Sequence, residues 1–160
     1  MWSVNVADPK VKAGDDLKVE IVLESFLQEK KKYQVELSVP EHIAPGKYAV
    51  ALFGPYEYEN YVRKALPYRF IATNYQTIVE ALNSALNYDR TKLYCLLVLP
   101  PAGIALERAE LPDLPQTKAL ILQNDKRAIR VQPYPHWVEK TIETGTVIAD
   151  KEIVPIIVEK

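Results

Sequence analysis

A mainly β fold, α+β overall, follows from three features of this sequence. Several short segments alternate apolar and polar residues with a period of two. Polar turns bearing glycine or proline separate them. A single longer stretch carries an apolar stripe of helical period.

The first fifty-four residues read as sheet. "LKVEIVL" sets Leu17, Val19, Ile21 and Leu23 against Lys18, Glu20 and Val22. "YQVELSV" sets Tyr33, Val35, Leu37 and Val39 against Gln34, Glu36 and Ser38, and "KYAVALFG" does the same with Tyr48, Val50 and Leu52. Each pattern predicts a strand with one buried face. The separators "VKAGDD" and "PEHIAPGK" are turn chemistry, and Lys30, Lys31 and Lys32 form a solvated loop or strand mouth. This arrangement of Gly-acidic turn, Val-Pro strand end and Ala-Pro-Gly-Lys-Tyr strand start resembles the immunoglobulin-like β-sandwich modules of exported proteins.

Residues 55 to 72 are the least regular stretch. Pro55 is expected to end one strand and Pro67 to open the next, "YRFIA". A helix follows near 74–87. Thr73 or Asn74 caps it, Ile78, Val79, Leu82 and Leu86 form its stripe, and Asn87 ends it. One amphipathic helix is expected to lie on a sheet. "KLYCLLVLP", apolar on both faces, predicts a central strand covered on both sides. Gly103 turns the chain into "GIALERAEL". Leu111-Pro112 and Leu114-Pro115 then make a stiff corner, because each proline fixes its own φ and holds the preceding leucine extended. A short helix near 115–124 is expected after it. Strands close the chain near 128–132, 138–143 and 153–159, with Pro155 implying an edge or a bulge. The expected organisation is therefore an immunoglobulin-like module over 1–72 and a β-rich module over 73–160.

Composition narrows the function. The chain is 48% hydrophobic and 26% charged, the balance of a folded protein able to bury a core. Its formal charge of −1 comes from 20 basic and 21 acidic residues spread along the length, which disfavours nucleic acid as a partner. No run approaches the ~18 apolar residues of a membrane helix, so membrane insertion is not expected. The single cysteine, Cys95, lies in an apolar run and reads as an inert buried thiol. The two histidines, His42 and His136, fall in proline-flanked loops without a Gly-x-Ser-x-Gly elbow, so no catalytic residue is assigned. No metal-ligand spacing and no phosphate-cradling glycine loop occur, so neither metal nor cofactor is expected.

One feature carries functional colour. Tyr56, Tyr58, Tyr61 and Tyr68 cluster beside Arg63 and Lys64. Exposed tyrosines give large contact area at low entropic cost, which suits a glycan- or peptide-binding loop. The plain alternative has the same rings roofing the core. Tyr56, Tyr58, Tyr61, Arg63 and Tyr68 are the candidate binding residues.

The stretch "LVLPPAGIALERAELPDLPQTKALIL", with "TGTVIADKEIVPIIVEK", resembles the β-rich C-terminal region of bacterial exported proteins that carry a sporulation-type serine peptidase domain further upstream. Gln116 and Thr117 stand where that region more usually has Pro-Ser, and Ala149-Asp150 replaces an expected glycine. None of the peptidase's catalytic apparatus lies in these residues. The resemblance implies a non-catalytic accessory module whose partners are neighbouring domains or another protein. Trp2 and Val4 read as strand residues from within a domain, so an extracellular or periplasmic segment of a longer precursor is expected. A cytoplasmic location would follow if the chain were full length, since no leader follows Met1.

Overall fold

The computed structural model describes residues 3–25, 29–71, 74–86, 89–106, 109–112, 114–115, 117–118 and 131–159. In chain order the elements are β1 (Ser3–Val6), β2 (Lys10–Lys12), β3 (Asp16–Glu24), β4 (Lys30–Ser38), β5 (Gly46–Phe53), helix α1 (Pro55–Ala65), a 3₁₀ helix (Pro67–Phe70) and helix α2 (Tyr75–Leu86). They continue with β6 (Lys92–Leu99), β7 (Ile104–Leu106), β8 (Ala109–Leu111), β9 (Val131–Pro133), β10 (His136–Glu143) and β11 (Lys151–Glu159). The protein is strand-rich, as its sequence patterning predicts.

The chain forms two compact units, neither of them continuous in sequence. The first comprises Met1–Tyr58, Asp89–Val98 and Trp137–Lys160; the second comprises Glu59–Tyr88 and Leu99–His136. The expected boundary near residue 72 falls inside the second unit.

Two sheets build the first unit, with strand orders β1-β3-β4 and β10-β6-β5-β11-β2. The three-stranded sheet is antiparallel throughout, with Leu17 opposite Leu37 and Val19 opposite Val35. Those four side chains and Ile21 are buried while Lys18 and Glu36 are exposed, so the period-two pattern places one face in the core. In the larger sheet the register aligns Val50 with Leu97, Leu52 with Cys95, and Val158 with Val11. All six are buried as well. Each fully buried aliphatic side chain here contributes about 1.5–3 kcal/mol over its exposed state.

β6 is the expected central strand: it lies between β10 and β5, and Leu93 to Leu97 are all buried, so both of its faces are covered. β11 runs antiparallel to β5 and parallel to β2. The Ile157 N–H donates to the Pro9 carbonyl on the β2 side. Alternate residues share an edge, so the nitrogen of Pro155 faces that side too, away from β5. A residue without an N–H is tolerated there.

The second unit holds the small antiparallel sheet β8-β7-β9. "GIALERAEL" therefore supplies two paired strands instead of one returning strand. Gly103, at φ 93°, packs against the opposite chain so closely that a Cβ would stand 2.1 Å from the Leu111 carbonyl oxygen. Leu111 and Leu114 are half-buried and Pro112 and Pro115 exposed, so the leucines anchor a corner whose prolines face solvent. Thr117 and Lys118 are helical, with the Lys118 N–H donating to the Pro115 carbonyl. The remainder of the expected 115–124 helix, and the start of the expected 128–132 strand, lie outside the described residues.

Residues 55–70 correct the sequence reading, which expected irregular chain and then a strand. Tyr58, Tyr61, Val62, Ala65 and Leu66 recur at i, i+3, i+4, i+7 and i+8, a helical period. Pro55 occupies the first turn, Glu57 sits near the helix start, and Arg63 and Lys64 lie near its end, each favourable to the helix dipole. Pro67 drives Leu66 out of helical geometry, to φ −125° and ψ 56°, and the chain tightens into the 3₁₀ turn.

Candidate functional site

The tyrosine segment comes apart once placed on these elements. Tyr56 is exposed at 68%, whereas Tyr58 is buried. The Tyr58 ring stacks on Tyr94 of β6, with centroids 4.0 Å apart and planes 6° from parallel. Its hydroxyl donates to Glu139 Oε2 at 2.6 Å, an oxygen that also accepts the Trp137 indole N–H at 3.2 Å. Burial raises the Tyr94 phenol above its ordinary range, so that ring is a neutral packing surface for Tyr58.

Within the second unit, Tyr61 is half-buried, and that burial raises its phenol. Arg63 is committed to Glu59 one turn earlier, its Nε and Nη2 both donating to Glu59 Oε1 at 2.9 and 2.7 Å. Its guanidinium lies 5.0 Å from the Phe70 ring centroid, a cation–π distance. Tyr68 is buried, and among the described residues no group meets its hydroxyl at full hydrogen-bond geometry. Burial first, and the negative charge of Glu110 second, hold its phenol well above the ordinary range. Beside it Arg69 grips Glu110 with both Nε and Nη2, the latter at 2.7 Å, and this pairing keeps the Glu110 carboxyl below its usual range. Of the five candidate binding residues, then, Tyr58 and Tyr68 are packing residues and Arg63 is ion-paired. Tyr56 alone among the candidate tyrosines presents its ring.

Reactive groups are placed for packing or for solvent. Cys95 is fully buried, and desolvation pushes its thiol up to about 12, where it remains protonated at neutral pH. His42 lies exposed in the β4–β5 turn and His136 exposed at the start of β10. Among the described residues no group of three or more His, Cys, Asp or Glu side chains is arranged to hold a metal ion, and no described helix is long and apolar enough to cross a membrane. A cavity of about 360 Å³ in the first unit lies between the facing ends of β3 and β4 and residues 146–150, with Glu24, Lys31 and Tyr33 in its wall. Two of its polar groups are bound within the chain: the Tyr33 hydroxyl donates to the Thr144 carbonyl at 3.3 Å, and Ser25 Oγ accepts the Glu29 N–H at 3.2 Å.

α2 offers a different surface. Asn74 caps it, its side-chain oxygen accepting the Thr77 N–H while Thr77 Oγ1 accepts the Asn74 N–H, both at 2.9 Å. Thr77 is buried and Ala81 half-buried, and that side of the helix meets the 3₁₀ turn. The apolar stripe points the other way. Tyr75 is 80% exposed, Ile78 45%, Val79 38%, Leu82 56% and Leu86 78%. The sequence predicts this stripe but expects it to lie on a sheet, and the structure overturns that: the helix is held by its small and polar side. Contiguous exposed apolar surface rimmed by polar residues is the mark of an interaction site.

Comparison with models of protein families, with curated proteins and with solved structures gives no match in any of the three.

Proposed function

We propose that this chain is a non-catalytic accessory module that engages a partner surface through α2, within a larger exported bacterial protein. The exposed apolar stripe Tyr75, Ile78, Val79, Leu82 and Leu86 carries this reading. Membership of an exported protein rests on the resemblance in the Leu-Pro segment alone. Tyr56, as the one exposed ring of its group, gives little support to a glycan or peptide platform.

The test is a double substitution, Leu82→Asn with Leu86→Asn, followed by thermal unfolding and binding of a hydrophobic fluorescent dye. A partner-facing stripe predicts a Tm within ~2 °C of the parent and weaker dye binding, because surface changes are close to neutral. A drop of more than ~6 °C would mean that the stripe packs into the chain's own core, and the proposal would fail.

A further inference from the structure

We propose that the partner of α2 is α2 of a second copy of this chain, the two helices lying antiparallel across a two-fold axis. The proposal rests on reading the stripe as an interaction surface and adds what covers it.

Three observations point to a self-complementary contact. The first is the spacing of the stripe. An antiparallel pairing centred on the helix midpoint sets Tyr75 opposite Leu86 and Val79 opposite Leu82, with Ile78 opposite Asn83 at the edge of the contact. At ~100° per residue, the five side chains fall within a sector about 100° wide, enough to face one neighbouring helix.

The second is charge. Within α2 only Glu80 is ionisable at neutral pH, and it lies ~140° around the helix from Tyr75, off the contact. Nothing on the stripe repels an identical stripe, and antiparallel helices also oppose their dipoles favourably.

The third is area. The exposed fractions of the five side chains amount to roughly 600 Å² per copy, so two copies would bury roughly 1,200 Å², the lower limit for a specific interface. An interface at that lower limit is expected to be weak and reversible.

The experiment measures the mass of the whole chain by sedimentation velocity from roughly 1 to roughly 100 µM, for the parent and for Leu82→Asn with Leu86→Asn. The expected result is a weight-average mass rising toward twice the monomer for the parent, and a monomer throughout for a variant of unchanged Tm. Mixing Tyr75→Cys copies with Leu86→Cys copies should give a disulfide-linked dimer under mild oxidation, while either alone gives little, its two thiols lying ~16 Å apart along the helices. A parent that stays monomeric, beside a variant of unchanged Tm, would overturn the dimer and leave the interaction-module reading in place. A variant of much lowered Tm would overturn both. Cross-linking of Tyr75→Cys copies with themselves would overturn the antiparallel arrangement.

Discussion

Replacing Gly54 by alanine would put a methyl group where another stretch of backbone already lies. Gly54 follows the last residue of β5, donates its N–H to the Asp150 carbonyl at 2.9 Å, and accepts the Tyr58 N–H at 2.9 Å as α1 begins. A Cβ at this position would stand 2.0 Å from the Ile148 carbonyl oxygen, 2.7 Å from its carbon and 3.3 Å from the Asp150 oxygen. Ordinary contact begins near 3.4 Å, so the crossing chain must retreat by more than an ångström, and all of the obstructing atoms are backbone. Overpacking of this kind costs about 1–3 kcal/mol. Stretching the Gly54–Asp150 hydrogen bond adds about 0.5–1.5 kcal/mol. The expected loss is therefore about 3 kcal/mol, read as a lower urea midpoint at unchanged slope. Trp137, which lies in the same unit, provides the fluorescence signal. Gly46→Ala is the control: its Cβ would meet only the Tyr48 ring, at 3.7 Å, and should cost less than ~1 kcal/mol. A Gly54→Ala protein within ~1 kcal/mol of the parent would refute the close crossing of residues 148–150.

Tyr58→Phe keeps the stacked ring but removes the bond to Glu139, so a loss of about 1–2 kcal/mol in urea unfolding is expected, with Tyr58→Leu costing more. Cys95 should resist a thiol-specific disulfide reagent at pH 8 until denaturant is added. Its thiol is raised in the folded state from 9.0 to about 12, so the associated stability is intact below about 9 and declines as pH climbs toward 12. Comparison with Cys95→Ala across that interval isolates the effect. Glu110 shows the opposite sign: its carboxyl is depressed, chiefly by the hydrogen bond from Arg69, so its contribution is present above the ordinary carboxylate range and disappears as pH falls through the folded value. Glu110→Gln should flatten that acid limb by no more than ~1 kcal/mol, because the pair is partly exposed, and circular dichroism against pH would show it.

The strands were legible because burial on one face writes itself as alternation. Leu17, Val19 and Ile21 on β3, and Val35 and Leu37 on β4, could be placed without coordinates. Leu93 to Leu97 announced a doubly covered strand in the same way, whereas Pro155, read as an edge or a bulge, lies in a strand paired on both sides, outside the stretch that β2 covers. α1 was missed because three tyrosines and two flanking prolines looked like loop chemistry, although Glu59 and Arg63 at i, i+4 and the Tyr58, Val62, Leu66 spacing were available signals. For α2 the period was readable and the outward direction was not, since a pattern shows that a stripe exists without showing what lies against it. The interleaving of the two units was hidden for a related reason. β5 pairs with β6 across the whole of residues 54–91, and no local rule encodes so distant a partner.

Synthesis order has a consequence for β11, which sits between β5 and β2 yet follows the first by about 100 residues and the second by about 140. A ribosome releases every other strand of that sheet first, leaving one flank of β5 with bare amide and carbonyl groups while translation continues. During this interval the nascent chain is a template for foreign strands, a hazard that ends only when Lys151–Glu159 slots into the gap. Chains cut short before residue 151 should therefore accumulate as insoluble material, and supplying the missing strand as a separate peptide should rescue them.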